Sequence, residues 1–259
     1  MVVLAVGCHP DDIEFMMSGT LFLLKEAGCV LHYMSIANGD VGSLTLYRKL
    51  IAAARRRESI QAAEYLGAVF HESIASDIEV YYTPALVRRV AAVVRRARPD
   101  IMLVQSLEDY MEDHMASARI AATAAFVRGI PNYRTIPLIP HIDTDVMVYH
   151  SLPHTLTDQM RRPIVPEFYV DVSSVLERKE RMLAMHESQK SWLDKTQGFD
   201  SYIATMRGIS EEVGRMSGRF PYAEAWRRHS HIGFSRSDSN PLADLLGNHI
   251  ALHDGGRKS

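Results

Sequence analysis

The sequence predicts an α/β chain built on a doubly wound, mostly parallel sheet. Three observations carry this expectation. Short apolar, β-branched runs such as Val2-Val3-Leu4-Ala5-Val6 and Ile101-Met102-Leu103-Val104 have the pattern of strands buried on both faces. Amphipathic stretches of helical length separate them, so strand and helix alternate as in βαβ units. Turn residues (Gly28, Asn38-Gly39-Asp40, Gly67, Pro99-Asp100) fall at the joints.

Residues 2–7 read as the first strand. Ser18-Gly19-Thr20 opens a helix that Gly28 stops. Residues 30–37 form a second strand, residues 48–66 a long helix ended by Gly67, and residues 69–74 a short strand. Pro84 begins the next helix, where its missing N–H costs nothing. That helix runs to about Ala97 with Val87, Val90, Ala91 and Val94 on one face. Its Arg88, Arg89, Arg95 and Arg96 read as a solvated face. The strand 101–104 and a helix over 115–127 follow. The later third is punctuated by six prolines between Pro131 and Pro166. It holds strands near 145–150 and 168–172, and a helix capped by Ser173-Ser174 that runs to about His186. From Trp192 to Phe234 no pattern stands out, and the last twenty residues are polar. The expectation is a Rossmann-like three-layer α/β fold with an irregular C-terminal segment. No linker divides the chain, so residues 1–259 read as one domain, with a core at 1–140 and C-terminal strands, helix and loops at 141–259.

Composition excludes several classes. Twenty-nine Lys and Arg stand against 31 Asp and Glu, too balanced for non-specific nucleic-acid binding. Two cysteines make no disulfide framework and fit a reducing compartment. Residues 1–8 are too short an apolar run for a signal peptide, and no run approaches the length of a membrane span. A cytoplasmic protein without a membrane span is expected.

Ligands of an open parallel sheet bind beyond the carboxyl ends of its strands. Two such ends carry unusual chemistry: His9-Pro10-Asp11-Asp12-Ile13-Glu14 and Asp109-Tyr110-Met111-Glu112-Asp113-His114. Imidazole and carboxylate are zinc ligands, and a catalytic zinc keeps three protein ligands and an open position. His9 and Asp12, three residues apart, could meet His114 on one ion. Asp11 would then be free as a general base. The Asp-Asp pair taken alone reads rather as a helix cap, and the His9-Pro10 before it and Gly19-Thr20 after it favour the metal-site reading.

These residues resemble the LmbE-like, or PIG-L, family of zinc-dependent N-acetylglucosaminyl deacetylases. Residues 6–15 with Ser18-Gly19-Thr20 resemble its HPDDxE…GGT signature. Asn38-Gly39-Asp40 resembles the turn after strand two, and Arg55 to Glu58 with Ala62-Ala63 and Leu66-Gly67 its R-x-x-E…AA…LG helix. Glu112-Asp113-His114 resembles the end of its HxDH motif. Asp171-Val172-Ser173, Lys179 and His186-Glu187-Ser188-Gln189 resemble its D-(I/V)-(S/T)…K…HxSQ segment. The resemblance implies His9, Asp12 and His114 as ligands of zinc or another divalent transition metal, and Asp11 as the base. Arg55, Asn38 and Asp40 are candidate substrate contacts, with an exposed helix arginine the other reading of Arg55. An amino-sugar substrate and a homo-oligomer are also implied.

One departure stands out. The first histidine of HxDH, which helps to stabilise the oxyanion or protonate the leaving group, is Met111 here, and a thioether does neither. Asp113, the partner of that histidine in the family, is expected to lose it. His186 is the first candidate to replace the missing histidine, with His229 or His231 behind it. Hydrolysis of another amide, ester or glycosyl bond is the alternative reading. A nucleotide-binding module fits poorly, since no G-x-G-x-x-G follows the first strand. His141, His150 and His154 are expected at the pocket rim. Trp192, Tyr222 and Trp226 are either sugar-stacking or packing aromatics.

Overall fold

A computed structural model describes residues 1–189 and 201–253. Strands β1 (Val2–Gly7), β2 (Val30–Ser35), β3 (Ala68–His71), β4 (Ile101–Val104) and β5 (Met147–Ser151) pair in parallel. Strands β6 (Phe168–Asp171), β7 (Ala223–Arg228) and β8 (Ile250–Leu252) continue the same sheet through antiparallel pairs. The order across it is β3-β2-β1-β4-β5-β7-β6-β8. The parallel strand ends are level: Gly7 pairs with Ser35, Val6 with Val104, Met34 with His71 and Val104 with His150. Five loops therefore leave the sheet along one edge. The order reverses between β1 and β4, where open α/β sheets place their ligands.

Alternate strand residues feed two cores, as a pleated sheet covered on both faces requires. Val3 and Ala5 face a core shared with α1 (Asp12–Met16), α2 (Ser18–Glu26), α3 (Arg48–Leu66), α6 (Leu176–Ala184) and α7 (Ser201–Ser217). Leu4 and Val6 face the core under α4 (Pro84–Ala97) and α5 (Glu112–Phe126). The layers follow from the sequence: β4 is four buried apolar residues, and α4 sets Val87, Val90, Ala91 and Val94 inward. Thr83 caps α4 by accepting from Leu86 N at 3.3 Å, with Pro84 in its first turn.

One arginine of α4 departs from the expected solvated face. Arg88, Arg89 and Arg96 are exposed, but Arg95 is buried. It donates to the carbonyls of Val127, Arg128, Ile130 and Ile139 at 2.9–3.1 Å. Its planar fork of donors satisfies a turn that has left the helical ladder. The stretch without sequence pattern holds α7, β7, a short α8 (Pro241–Leu246) and β8. Among the described residues no helix is long and apolar enough to cross a membrane.

Candidate active site

Strand β1 ends against the turn that carries the site. A Cβ on Gly7 would stand 3.0 Å from Ile13 Cγ1 and 3.3 Å from Asp12 Cβ, so the strand end and α1 approach at a distance that suits glycine. Asp11 then adopts a left-handed backbone, φ 114°, which residues with side chains rarely do. Two contacts hold it. Its carbonyl accepts from Phe15 N at 2.9 Å, and its Oδ2 accepts from the Tyr202 hydroxyl at 2.6 Å.

The turn and α5 bring three side chains together. His9 Nδ1 lies 3.3 Å from His114 Nε2 and 3.4 Å from Asp12 Oδ2, and Asp12 Oδ1 lies 3.4 Å from His114 Nε2. Ligand atoms about 2.0–2.1 Å from a tetrahedral zinc are spaced about 3.3–3.4 Å apart. The triad is therefore spaced as a divalent ion would require, and its donor set of two imidazoles and one carboxylate suits zinc. Against the cost of burial, His114 and His9 hold the Asp12 carboxyl far below its usual range.

The remaining ring nitrogens are fixed from behind. His9 Nε2 lies 3.3 Å from Asp113 Oδ2, which also accepts from Ile78 N at 2.6 Å. Asp113 thus has a partner, contrary to expectation: the partner is His9. His114 Nδ1 lies 3.2 Å from Asp109 Oδ2. With both rings neutral, these carboxylates would take the far N–H groups and leave His9 Nδ1 and His114 Nε2 free to ligate. Cys8, beside His9, has no exposure, and burial pushes its thiol up to about 11.

A cavity of about 600 Å³ opens in front of the triad. Each loop after a parallel strand contributes to its wall: His9 after β1, Val41 after β2, Ile78 after β3, Met111 after β4 and His154 after β5. Tyr202 and Ile209 of α7 close the opposite side. Burial and the adjacent Asp12 carboxylate push the Asp11 carboxyl up to about 6, while His186, Arg55 and the Tyr202 hydroxyl pull it back. Arg55 lies on the wall and is buried. Its Nη2 donates to Gly42 O at 3.1 Å and to Gln189 Oε1, and its Nε has no partner among the described residues.

Other expected residues stand off the wall. Asn38 Oδ1 accepts from Asp40 N at 3.1 Å, and Asp40 takes Arg48 Nε at 2.9 Å and Asp77 N at 3.1 Å. Both residues shape the β2–α3 loop. His186 has no exposure and lies behind Asp11, its Nε2 3.0 Å from Glu14 Oε1. His229 pairs with His150 at 2.9 Å, and His231 lies 3.8 Å from Asp238. Trp226 is buried and donates to Thr20 Oγ1 at 3.1 Å, and Tyr222 lies under Arg207, whose guanidinium carbon is 5.0 Å from the ring centroid. Trp192 lies outside the described residues.

Sequence reading missed Tyr202 and left Asp109 without a role. Asp109 was legible in principle, as a second carboxylate five residues before a candidate ligand. Tyr202 carried no local signal, being 191 residues from its partner.

Comparison with known proteins gives a consistent picture. The model of the PIG-L family, described as GlcNAc-PI de-N-acetylase, matches residues 4–125. The chain is 29% identical over 231 residues to diacetylchitobiose deacetylase of Thermococcus kodakarensis, covering 87% of this chain and 82% of that one. It is 28% identical over 232 residues to 4-oxalmesaconate hydratase of Pseudomonas putida, covering 85% and 86%. Among solved structures, N,N'-diacetylchitobiose deacetylase of Pyrococcus horikoshii superposes with a TM-score of 0.73 at 22% identity, over 93% of this chain and 88% of that one. The 4-carboxy-2-hydroxymuconate hydratase of Pseudomonas putida gives 0.71 at 22% identity, over 92% and 98%. The family match covers the HPDD turn and α5, which carry the triad, and the fold agrees along nearly the whole chain: over residues 4–125 this chain is similar to the PIG-L (LmbE-like) family.

Proposed function

We propose that this protein is a metal-dependent N-deacetylase of an N-acetylated amino sugar. The carrying observation is the triad of His9, Asp12 and His114 with Asp11 beside it, at the floor of a cavity of about 600 Å³. The similarity to a diacetylchitobiose deacetylase supports the substrate class. His9, Asp12 and His114 would hold zinc, which supplies Lewis acidity and lowers the pKa of a water molecule.

The chain's own groups do the rest. Asp113 and Asp109 keep His9 and His114 in the ligating tautomer. Tyr202 occupies Asp11 Oδ2, so Oδ1 is the oxygen that takes the proton of the attacking water. The same oxygen returns that proton to the departing amine. Arg55, with its unpartnered Nε on the wall, would bind a sugar hydroxyl or an anionic substituent. Cys8 and Cys29 are both unpaired, which supports a reducing, cytoplasmic setting.

The test is metal analysis of purified protein together with acetate release from diacetylchitobiose and other N-acetylated amino sugars. About one zinc per chain, lost in His114→Ala, is expected. Asp11→Asn should keep the metal and lower kcat by about 10²–10⁴-fold. Metal-loaded protein that releases no acetate from any of these compounds would sink the reading. The hydratase relative supports a second one, in which the same water adds to a conjugated double bond of an unsaturated acid. Loss of ultraviolet absorbance of such an acid, without acetate release, would favour it.

A further inference from the structure

The acyl oxygen of a substrate would enter a site whose family histidine is Met111, a cavity-lining side chain with no donor. The described histidines outside the metal triad leave one replacement. His186 is buried behind Glu14, His229 is engaged with His150, and His231 sits beside Asp238. His154 is on the cavity wall, and its Nε2 is buried without a hydrogen-bond partner among the described residues. That nitrogen lies 3.8 Å from Asp12 Oδ1, on the side of the triad that faces the cavity.

Packing holds the ring there. Its centroid lies 4.5 Å from Phe15 at an interplanar angle of 32°, and 5.7 Å from His114 in an edge-on contact. Tyr110 adds a further ring at 6.3 Å. A donor locked in place and left unpaired at the cavity wall fits an acceptor that arrives with substrate. The 3.8 Å spacing exceeds the 3.3–3.4 Å edges of the triad, so His154 stands beside the metal donors rather than among them.

We propose that His154 is a catalytic residue whose Nε2–H hydrogen-bonds the acyl oxygen as that oxygen gains negative charge. His154 would thereby do from the loop after β5 what the HxDH histidine does from the start of α5. The ring donates this hydrogen bond without transferring its proton. The hydrogen stays on Nε2 throughout, and the proton traffic remains with Asp11. The role rests on the deacetylase reading only for its substrate, because attack of water on any carbonyl places charge on an oxygen.

The experiment compares zinc-loaded wild type, His154→Ala and His154→Gln. Metal content and thermal midpoint are measured first, then kinetics and calorimetric titration with methylphosphonate, whose anionic oxygens stand in for the charged acyl oxygen. His154→Ala is expected to keep its zinc and to lower kcat by about 100- to 1,000-fold, with KM changed by less than about threefold. Its methylphosphonate affinity should fall about tenfold or more, and His154→Gln, which retains an N–H donor, should recover part of both losses. If kcat and methylphosphonate affinity of His154→Ala both stay within about threefold of wild type, the proposal is overturned. Loss of zinc from both variants overturns it too, by making His154 a ligand. A wild type that releases no acetate defeats the deacetylase reading instead, and the titration then decides the role of His154 alone.

Discussion

Asp11 and Tyr202 together show how one residue is aimed. Asp11 is left-handed, at φ 114°, and a non-glycine residue held there costs on the order of 1–3 kcal/mol. The Tyr202 hydroxyl, at 2.6 Å, gives the carboxylate a single orientation within that strained turn. Tyr202→Phe removes this restraint while leaving the metal donors untouched. We expect kcat to fall about 10- to 100-fold at unchanged metal content, since small misplacements of a reacting group cost that much. Steady-state kinetics with parallel metal analysis checks it, and an unchanged kcat would remove Tyr202 from the machinery. At this scale the clustering of His9, Asp12 and His114 was legible, because they lie at strand ends in short, unusual strings. Tyr202 was not, because nothing in a sequence ties a tyrosine of α7 to a turn after β1. His154 lay between, visible as a rim histidine but indistinguishable from His141 and His150 until the loop after β5 was placed.

At the scale of elements, helix α2 depends on a strand made late in the chain. Gly19 N and Thr20 N each donate to the Glu224 carboxylate of β7 at 2.8 Å, and Lys179 Nζ of α6 lies 2.5 Å from its Oε1. The carboxylate thus satisfies two free N–H groups in the first turn of α2 and pairs with a buried ammonium. A Cβ on Gly19 would stand 2.5 Å from Val172 Cγ1 and 2.9 Å from Glu224 Oε1, so the approach needs glycine. Glu224→Gln leaves Lys179 buried without a counter-charge, and should cost about 3–5 kcal/mol of stability. Urea unfolding measures this, and a midpoint equal to that of wild type would show that Lys179 finds another partner. The pair also explains which elements could be read. β1 and β4 are uninterrupted apolar runs. β7 reads Ala-Glu-Ala-Trp-Arg-Arg and hides its strand character, because its glutamate is buried for electrostatic rather than hydrophobic reasons. Arg95 misled for the same reason: its burial is supported by carbonyls 32 to 44 residues away.

For the molecule as a whole, pH acts through histidines that folding keeps neutral. Burial, with His229 and Arg227 nearby, pushes His150 down to about 4. Burial, with His32 and Arg96 nearby, does the same to His71. Their unfolded forms titrate near 6.5, so between pH 6.5 and 4 the unfolded chain binds more protons. The contribution of each histidine to stability is therefore complete above about pH 6.5 and is lost as pH falls toward 4. Between pH 7 and pH 5 the loss from His150 is on the order of 1–2 kcal/mol. His150→Gln should lose correspondingly less stability than wild type over that interval. The comparison cancels the titration of His9, Asp12 and His114, which both proteins share. Equal losses in urea unfolding at the two pH values would refute it. Topology was legible only in part at this scale. Alternating strands and helices announced the parallel half of the sheet, whereas the antiparallel half rests on short strands whose pairing is non-local.

The level ends of the five parallel strands separate two tasks that could have been entangled. The residues of the candidate metal triad sit in the turn after β1 and the first turn of α5, while Val41 and Ile78 project from longer loops after β2 and β3. Doubling the length of a flexible loop costs only about 0.6 kcal/mol. Insertion into the exposed part of the β2–α3 loop is therefore cheap in chain entropy and leaves the turn after β1 and α5 in place. For a designer, the exposed stretch 44–47 is the place to diversify, and the turn at 8–12 and Ile78, whose N–H holds Asp113, are the places to leave alone.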